Sequence, residues 1–314
     1  MIQDTADRFI ADEFLDPAFI CSAAHADIIA AQVPGDGVLL LEPMGRNTAP
    51  AAAAAALHGQ AIGAELVLLA PADHHVRNIS AFQTAARNAS SAALAGHIVT
   101  FGITPDRPET GYGYIHMGEA VDGAVRRVQA FVEKPDRDTA KSYLAQGGYA
   151  WNAGLFLFRP DTMLAELKAH APDILDAVQS AYSNAAISGR TLALDADSFA
   201  ACRSDSIDYA VMEATRHAAC LPVDIGWSDI GSFEALHADL PKDEAGNAVP
   251  DETLTINSRA CLVDTDGLSV SLVGLEGIGV IVRNGEVMVV KLDQSQSVKT
   301  LVEALKSSNQ SSRL

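Results

Sequence analysis

Basic residues are scarce in this chain. Lys and Arg together number 22 against 40 Asp and Glu, a net charge of −18 over 314 residues. Such a balance supplies no basic face, which excludes sequence-independent nucleic-acid binding. It does not exclude a nucleotide as ligand, since a few local cations and a metal suffice there. The acidity itself reads as a solubility feature. Cysteine is scarce as well. Cys21, Cys202, Cys220 and Cys261 form no C-x-x-C pair, so neither a zinc site nor a disulfide framework is expected. Met1 to Phe14 has no basic n-region and no apolar run, so it does not read as a secretory signal. Long apolar runs are missing too. The most apolar stretch, from Ala49 to Ala72, is interrupted by His58, Gly59, Gln60, Gly63 and Glu65. A buried helix and a strand are expected there rather than a membrane span. These absences together predict a cytoplasmic protein with no nucleic-acid or membrane partner.

What is present has a clear rhythm. Short apolar runs at 17–22, 38–41, 66–69 and 97–103 alternate with helical stretches at 2–14, 23–32, 51–60 and 80–95. That alternation predicts a parallel α/β sheet with helices on both faces. Ligands of such sheets sit outside the carboxyl ends of the strands, where the loops 42–50, 70–76 and 104–114 are expected. One amphipathic helix is predicted over 162–181, a polar surface excursion over 182–198, and a further helix from Ser206. Residues 238–252 are rich in Asp, Pro, Gly, Glu and Lys and read as a linker. Beyond them short β-branched runs alternate with Asn, Asp and Gly, with Asn284-Gly285 as a tight turn. A helix over 297–306 and a frayed tail over 307–314 close the chain. The expected division is a core at 1–237, a linker at 238–252 and a small all-β domain with its closing helix at 253–314.

Several stretches carry chemistry. Phe131-Val132-Glu133-Lys134-Pro135 delivers an acid and a base at a strand end. Glu133 can accept from hydroxyls and Lys134 can pair with a phosphate. A solvated charge pair is the plainer alternative. Tyr112 lies between glycines and Tyr114 follows one in Gly111-Tyr112-Gly113-Tyr114, which lets backbone approach a ligand, with a simple hairpin turn as the alternative. Asp73 follows a strand in Pro71-Ala72-Asp73-His74, and Asp229 sits in Gly226-Trp227-Ser228-Asp229-Ile230-Gly231. Two carboxylates and substrate phosphates would hold Mg²⁺. For each, a loop-capping role is the alternative.

Taken together, these stretches are recognisable. Leu41-Glu42-Pro43-x-x-Arg46-Asn47-Thr48-Ala49-Pro50, Pro71-Ala72-Asp73-His74, Pro108-Glu109-Thr110-Gly111-Tyr112-Gly113-Tyr114-Ile115, Phe131-Val132-Glu133-Lys134-Pro135, Trp151-Asn152-Ala153-Gly154, Ser206-Ile207-Asp208-Tyr209 and Gly226-Trp227-Ser228-Asp229-Ile230-Gly231-Ser232 occur in that order. The set resembles the bacterial mannose-1-phosphate guanylyltransferases, which make GDP-mannose and pyrophosphate from GTP and mannose 1-phosphate. The resemblance implies a Rossmann-like nucleotidyltransferase core and a carboxy-terminal left-handed β-helix that mediates dimer contacts, hence a homodimer. It implies that Glu42, Asn47 and Thr48 lie by the guanine and ribose, and that Asp73 and Asp229 hold Mg²⁺. It further implies that Gly113 presents its backbone to the sugar, Glu133 binds sugar hydroxyls, Lys134 the sugar phosphate, and Asn152 the mannose ring.

The sequence departs from the family pattern at its start. The family's first strand and its loop of the form G-G-x-G-T-R-L-x-P, which grip the triphosphate through backbone amides, have no counterpart here. Met1 aligns just downstream of that loop. The expectation is a truncated family member, with its first strand missing and its turnover impaired. A catalytically silent sugar-nucleotide-binding or regulatory paralogue is the other reading. Ala153 stands where the family usually has serine. The longer relatives carry a cupin-like isomerase domain, and no isomerase activity is implied for this chain.

Overall fold

The computed structural model describes residues 1–33 and 35–308. They form two compact units, Met1–Trp227 and Ser228–Leu314. The tail expected at 307–314 lies, from 309 onward, outside the described residues.

The strands of the first unit are β1 (Phe19–Ser22), β2 (Leu39–Glu42), β3 (Val67–Leu69), β4 (His75–Val76), β5 (Ile98–Ile103), β6 (Tyr114–Asp122), β7 (Val125–Val132), β8 (Tyr149–Phe158), β9 (Ala186–Ser188), β10 (Thr191–Ala193) and β11 (Ala218–Val223). Its α-helices are α1 (Ile2–Asp7), α2 (Ala26–Gln32), α3 (Thr48–Ala61), α4 (Ile79–Leu94), α5 (Arg137–Gln146), α6 (Pro160–His170), α7 (Pro172–Ser183) and the short α8 (Ala196–Ala200).

The expected single parallel sheet is corrected to two mixed ones. Four strands run in the order β1-β2-β10-β9, and six in the order β3-β8-β5-β11-β7-β6. In the larger sheet only β5 and β11 are parallel, while β8 runs against β3, β5 and β6. A fully buried strand is apolar on both faces whichever way it runs, so composition does not reveal its direction.

Alternation along β8 divides the core. Phe156 and Phe158 face the cluster under α3, α6 and α7, whereas Leu155 and Leu157 face the one under α4 with Phe82 and Phe101. Alanine makes the first layer thin. Ala49, Ala52, Ala53, Ala54 and Ala56 of α3 are fully buried, and a Cβ on Gly59 would meet Val67 Cγ2 at 2.5 Å. The helix thus lies closer to β3 than any larger residue permits.

Three local expectations are corrected. The helix over 2–14 ends at Asp7, because Arg8 turns inward to donate to the His74 carbonyl and Phe9 packs edge-on against Phe14 and Phe82. The helix over 162–181 is two helices, α6 and α7, broken at Ala171 before Pro172, as the restricted residue ahead of a proline requires. The surface excursion over 182–198 contains β10, which pairs in parallel with β2 and buries Leu192. Two short three-residue strands give too little periodicity to be seen in sequence.

The second unit is a β-helix with α9 (Phe233–Asp239) packed against it. Leu254–Ile256 pairs in parallel with Ser271–Val273, and Leu262–Thr265 with Ile278–Arg283, without an intervening crossover helix. Asn284-Gly285, both at positive φ, then turn the chain into Glu286–Lys291, as the sequence predicts. The composition-based boundary at 237 falls inside α9, whose Phe233 and Leu236 pack against Ala248, Leu262, Ile281 and Leu292. The polar stretch after it is pinned as well. Buried Asn247 donates to Asp243 and to the Ser258 carbonyl, and accepts from Cys261 N. No described helix is long and apolar enough to cross a membrane.

Arg190 ties the small sheet to the end of α2. Its guanidinium donates to the carbonyls of Ala30, Val33, Gly35 and Gly37 at 2.9–3.4 Å. Arg190→Met is expected to cost about 2 kcal/mol in urea unfolding, the scale of charged hydrogen bonds lost from partly buried carbonyls. Arg190→Lys should recover little of it, since a point charge cannot reach so many acceptors at once. Unfolding midpoints equal to the parent's would contradict this role.

Candidate active site

The site grows out of one register. Tyr114, the first residue of β6, lies opposite Val132 of β7 and opposite Trp151 of β8, both antiparallel. One step beyond that pairing brings Gly113 beside Glu133 on one side and Asn152 on the other. Asn152 N donates to Gly113 O at 2.8 Å. A Cβ on Gly113 would meet Glu133 Oε2 at 2.5 Å, so a larger residue there would push the carboxylate out of its present position. The stretches at 113, 133–134 and 152, read separately from sequence, are therefore one place.

Glu133 Oε1 lies 2.7 Å from Lys134 Nζ, with the acid side chain 9% exposed and the lysine 61% exposed. The hydrogen bond that Lys134 donates to Glu133 raises the lysine pKa, and the ammonium stays charged. Lys134 adopts φ 47, a left-handed conformation that non-glycine residues rarely take. Among the described non-glycine residues with positive φ, Asn47, Lys134 and Ile230 fall within the recognised stretches. For β-branched Ile230 this is marked strain, of the kind that collects at functional sites.

Sequence reasoning left Thr100 out of the site and assigned Asp208 no role in it. Asn152 Nδ2 donates to Asp208 Oδ1 at 3.0 Å, and Thr100 Oγ1 donates to Asn152 Oδ1 at 2.7 Å. Asp208 begins a π-helical turn, Asp208–Met212, where an ordinary helix was expected. The one available signal was its place in Ser206-Ile207-Asp208-Tyr209. A row of aromatic rings was also missed, although its members stand in the motifs. Trp227 Nε1 donates to His74 Nδ1 at 3.2 Å, Tyr112 meets Trp227 at 5.3 Å and Trp151 at 5.2 Å, and the Arg107 guanidinium lies 5.1 Å over the Trp151 ring. The row joins the loops at 70–76 and 104–114 to the start of β8.

Glu42, Asn47 and Thr48 form a second group at the end of β2. Glu42 Oε1 is buried and has no hydrogen-bond partner among the described residues. Burial pushes its carboxyl up to about 7. Asn47 caps α3 by accepting from Thr48 N at 2.9 Å. Thr48 Oγ1 accepts from Ile207 N at 2.9 Å, which stitches this loop to the segment entering Asp208.

The two aspartates stand in different units. Asp73 is exposed in the first, between Ala72, whose carbonyl accepts from Thr5, and His74, whose carbonyl accepts from Arg8. Asp229 is half-buried in the second, and its Oδ1 accepts from Gly231 N at 3.0 Å. Among the described residues no group of three or more His, Cys, Asp or Glu is placed to hold a metal ion. Carboxylate oxygens of this kind fit a hard cation that takes its remaining ligands from phosphates and water.

Asp208 makes the site sensitive to pH. Burial, and then the charge of Glu133, push its carboxyl up to about 6. A raised carboxyl favours the neutral form, so its contribution to stability is complete below the ordinary value of about 3.9 and is lost as pH rises through about 6. Asp208→Asn should therefore gain on the parent by about 2 kcal/mol between pH 4 and pH 7 in urea unfolding. Curves that run parallel over that range would refute the assignment.

Comparison with known proteins covers nearly the whole chain. The nucleotidyl transferase family matches residues 1–246, and the MannoseP isomerase/GMP-like β-helix domain matches residues 251–305. A mannose-1-phosphate guanylyltransferase of Klebsiella pneumoniae is 41% identical over 99% of this chain and 68% of its own length. The corresponding Escherichia coli protein is 41% identical over 98% and 67%. The alginate biosynthesis protein AlgA of Pseudomonas aeruginosa is 41% identical over 97% and 65%. A crystal structure from Thermus thermophilus, described as a mannose-1-phosphate geranyltransferase, superposes with a TM-score of 0.85 at 31% identity, covering 97% of this chain and 89% of that one. The chain belongs to the nucleotidyl transferase family and carries its MannoseP isomerase/GMP-like β-helix domain.

Proposed function

We propose that this protein is a mannose-1-phosphate guanylyltransferase, joining GTP and mannose 1-phosphate to give GDP-mannose and pyrophosphate. The observation that carries the reading is the convergence of Gly113, Glu133, Lys134 and Asn152 on one register. Glu133 accepts from sugar hydroxyls, Asn152 donates to the ring, and exposed Lys134 neutralises the sugar phosphate as it approaches the α-phosphorus of GTP. Attack by a phosphate oxygen forms the new P–O bond, and pyrophosphate leaves on the opposite side. Little covalent work falls to side chains, so positioning and charge neutralisation carry the rate.

For the base, the buried and unpartnered Glu42 Oε1 is the supporting observation. Guanine offers adjacent N–H donors to a carboxylate, whereas adenine's corresponding edge does not. Asn47 and Thr48 line the same loop. Mg²⁺ would supply charge neutralisation at the phosphates, with Asp73 and Asp229 as candidate carboxylates, each in its own unit. The biosynthetic role goes with a cytoplasmic location.

We also infer a homodimer formed through the β-helix. Leu254, Ile256 and Val273 are 56–69% exposed on one face of the strand pair Leu254–Ile256 and Ser271–Val273. Together they make a contiguous apolar strip that a second copy would cover.

The decisive assay measures pyrophosphate release from GTP, mannose 1-phosphate and Mg²⁺ beside equilibrium binding of GDP-mannose. It compares this chain with one extended upstream, because the sequence lacks the G-G-x-G-T-R-L stretch. Release with preference for GTP and mannose 1-phosphate supports the reading. Binding without release by either form favours the silent paralogue, and no binding by either overturns both. In the same assay the affinity for GTP should fall about tenfold per pH unit below about 7, because guanine pairs with the ionised Glu42. Glu42→Gln should flatten that dependence, and an unchanged profile would remove Glu42 from base recognition. Ile256→Glu should shift the solution mass from two chains to one, whereas a parent already monomeric would refute the dimer.

A further inference from the structure

We propose that Thr100 and Asp208 are positioning residues. They hold the Asn152 amide in one orientation, so that it meets a sugar hydroxyl only as a donor. The inference rests on the substrate reading above and deepens it.

Three separate irregularities of the fold converge on this amide. The first is a bulge in β8. A step of two residues along β5, from Gly102 to Thr100, is matched by a step of four along β8, from Asn152 to Phe156. Bulges re-aim side chains and collect beside active sites. Within it Gly154 adopts φ 69 and turns its N–H onto Asn152 Oδ1 at 3.2 Å. The second is Thr100 itself, a fully buried hydroxyl in the apolar strand Ile98–Ile103, whose donor goes to the same oxygen at 2.7 Å. The third is the π-helical turn that begins at Asp208 and brings its carboxylate to Asn152 Nδ2 at 3.0 Å. Turns of this type are rare and are found at functional sites.

The chemistry of the partners fixes the amide. A backbone N–H can only donate, so the atom facing Gly154 N is the carbonyl oxygen. With Gly154 N and Thr100 Oγ1 both donating to it, that oxygen's two lone pairs are taken. One Nδ2 hydrogen goes to Asp208. What remains for a ligand is the second N–H, a donor. Glu133 on the neighbouring register position is an acceptor. A hydroxylated ring is then read by one acceptor and one donor of fixed sense, which neither residue supplies alone. An amide free to flip would offer either sense and lose that discrimination.

The test is equilibrium binding of GDP-mannose and its monodeoxy sugar analogues, followed by calorimetry. For the parent protein one analogue, lacking the hydroxyl that Asn152 reads, should bind about three- to tenfold more weakly than GDP-mannose, the scale of one hydrogen bond. Asp208→Leu should reduce that ratio, and the double variant Thr100→Val, Asp208→Leu should abolish it. The conservative variants Asp208→Asn and Thr100→Ser, which keep an acceptor and a donor in place, should retain it. The analogue lacking the Glu133-bound hydroxyl should be penalised equally in every variant. A double variant that keeps the parent's full discrimination overturns the inference, as does uniform weakening of GDP-mannose and all analogues alike. A parent protein that binds no GDP-mannose overturns the substrate reading and this inference with it, so the two failures are distinguishable.

Discussion

Everything in the site depends on the pinning of β6 between β7 and β8. A strand that pairs on both sides at Tyr114 has no freedom of register, and a slip of one residue would turn each side chain to the opposite face. Gly113, Glu133 and Asn152 meet because they each stand one residue past that shared pair. The close approach of Gly113 to the Glu133 carboxylate leaves that carboxylate its present position, from which a side chain at 113 would displace it. A backbone constraint thus places the acid, base and amide, and their own attractions need only orient them.

The regular parts of the fold and the irregular parts divide the labour. Helix α3 and the clusters on either side of β8 supply burial, with alanine and glycine setting a close helix-to-sheet distance. The polar groups sit where regular structure fails, at the β8 bulge, the π-helical turn at Asp208, and the left-handed residues Asn47 and Lys134. Each departure costs local stability and persists because the surrounding core over-determines it. Buried polar groups in such places are costly unless satisfied. Asn152 is satisfied by Gly154, Thr100 and Asp208, whereas Glu42 Oε1 is left without a partner among the described residues.

The sequence alone determined the alternation of strands and helices, the β-rich carboxy-terminal region, and the Asn284-Gly285 turn. Local chemistry dictates all three: hydrophobic period, propensity, and the positive φ that Asn and Gly accept. It also carried the motifs at 42–50, 131–135 and 151–154, because glycine, proline and charge at strand ends are visible one residue at a time. Tertiary structure decided the rest. Strand direction, the parallel docking of Thr191–Ala193 on Leu39–Glu42, and the approach of Asp208 and Thr100 to Asn152 all join residues far apart in the chain. A buried threonine in an apolar strand looks like filler until its neighbour across the sheet is known. No periodicity encodes that neighbour, since it is chosen by the register of strands more than fifty residues apart and by the packing that holds them there.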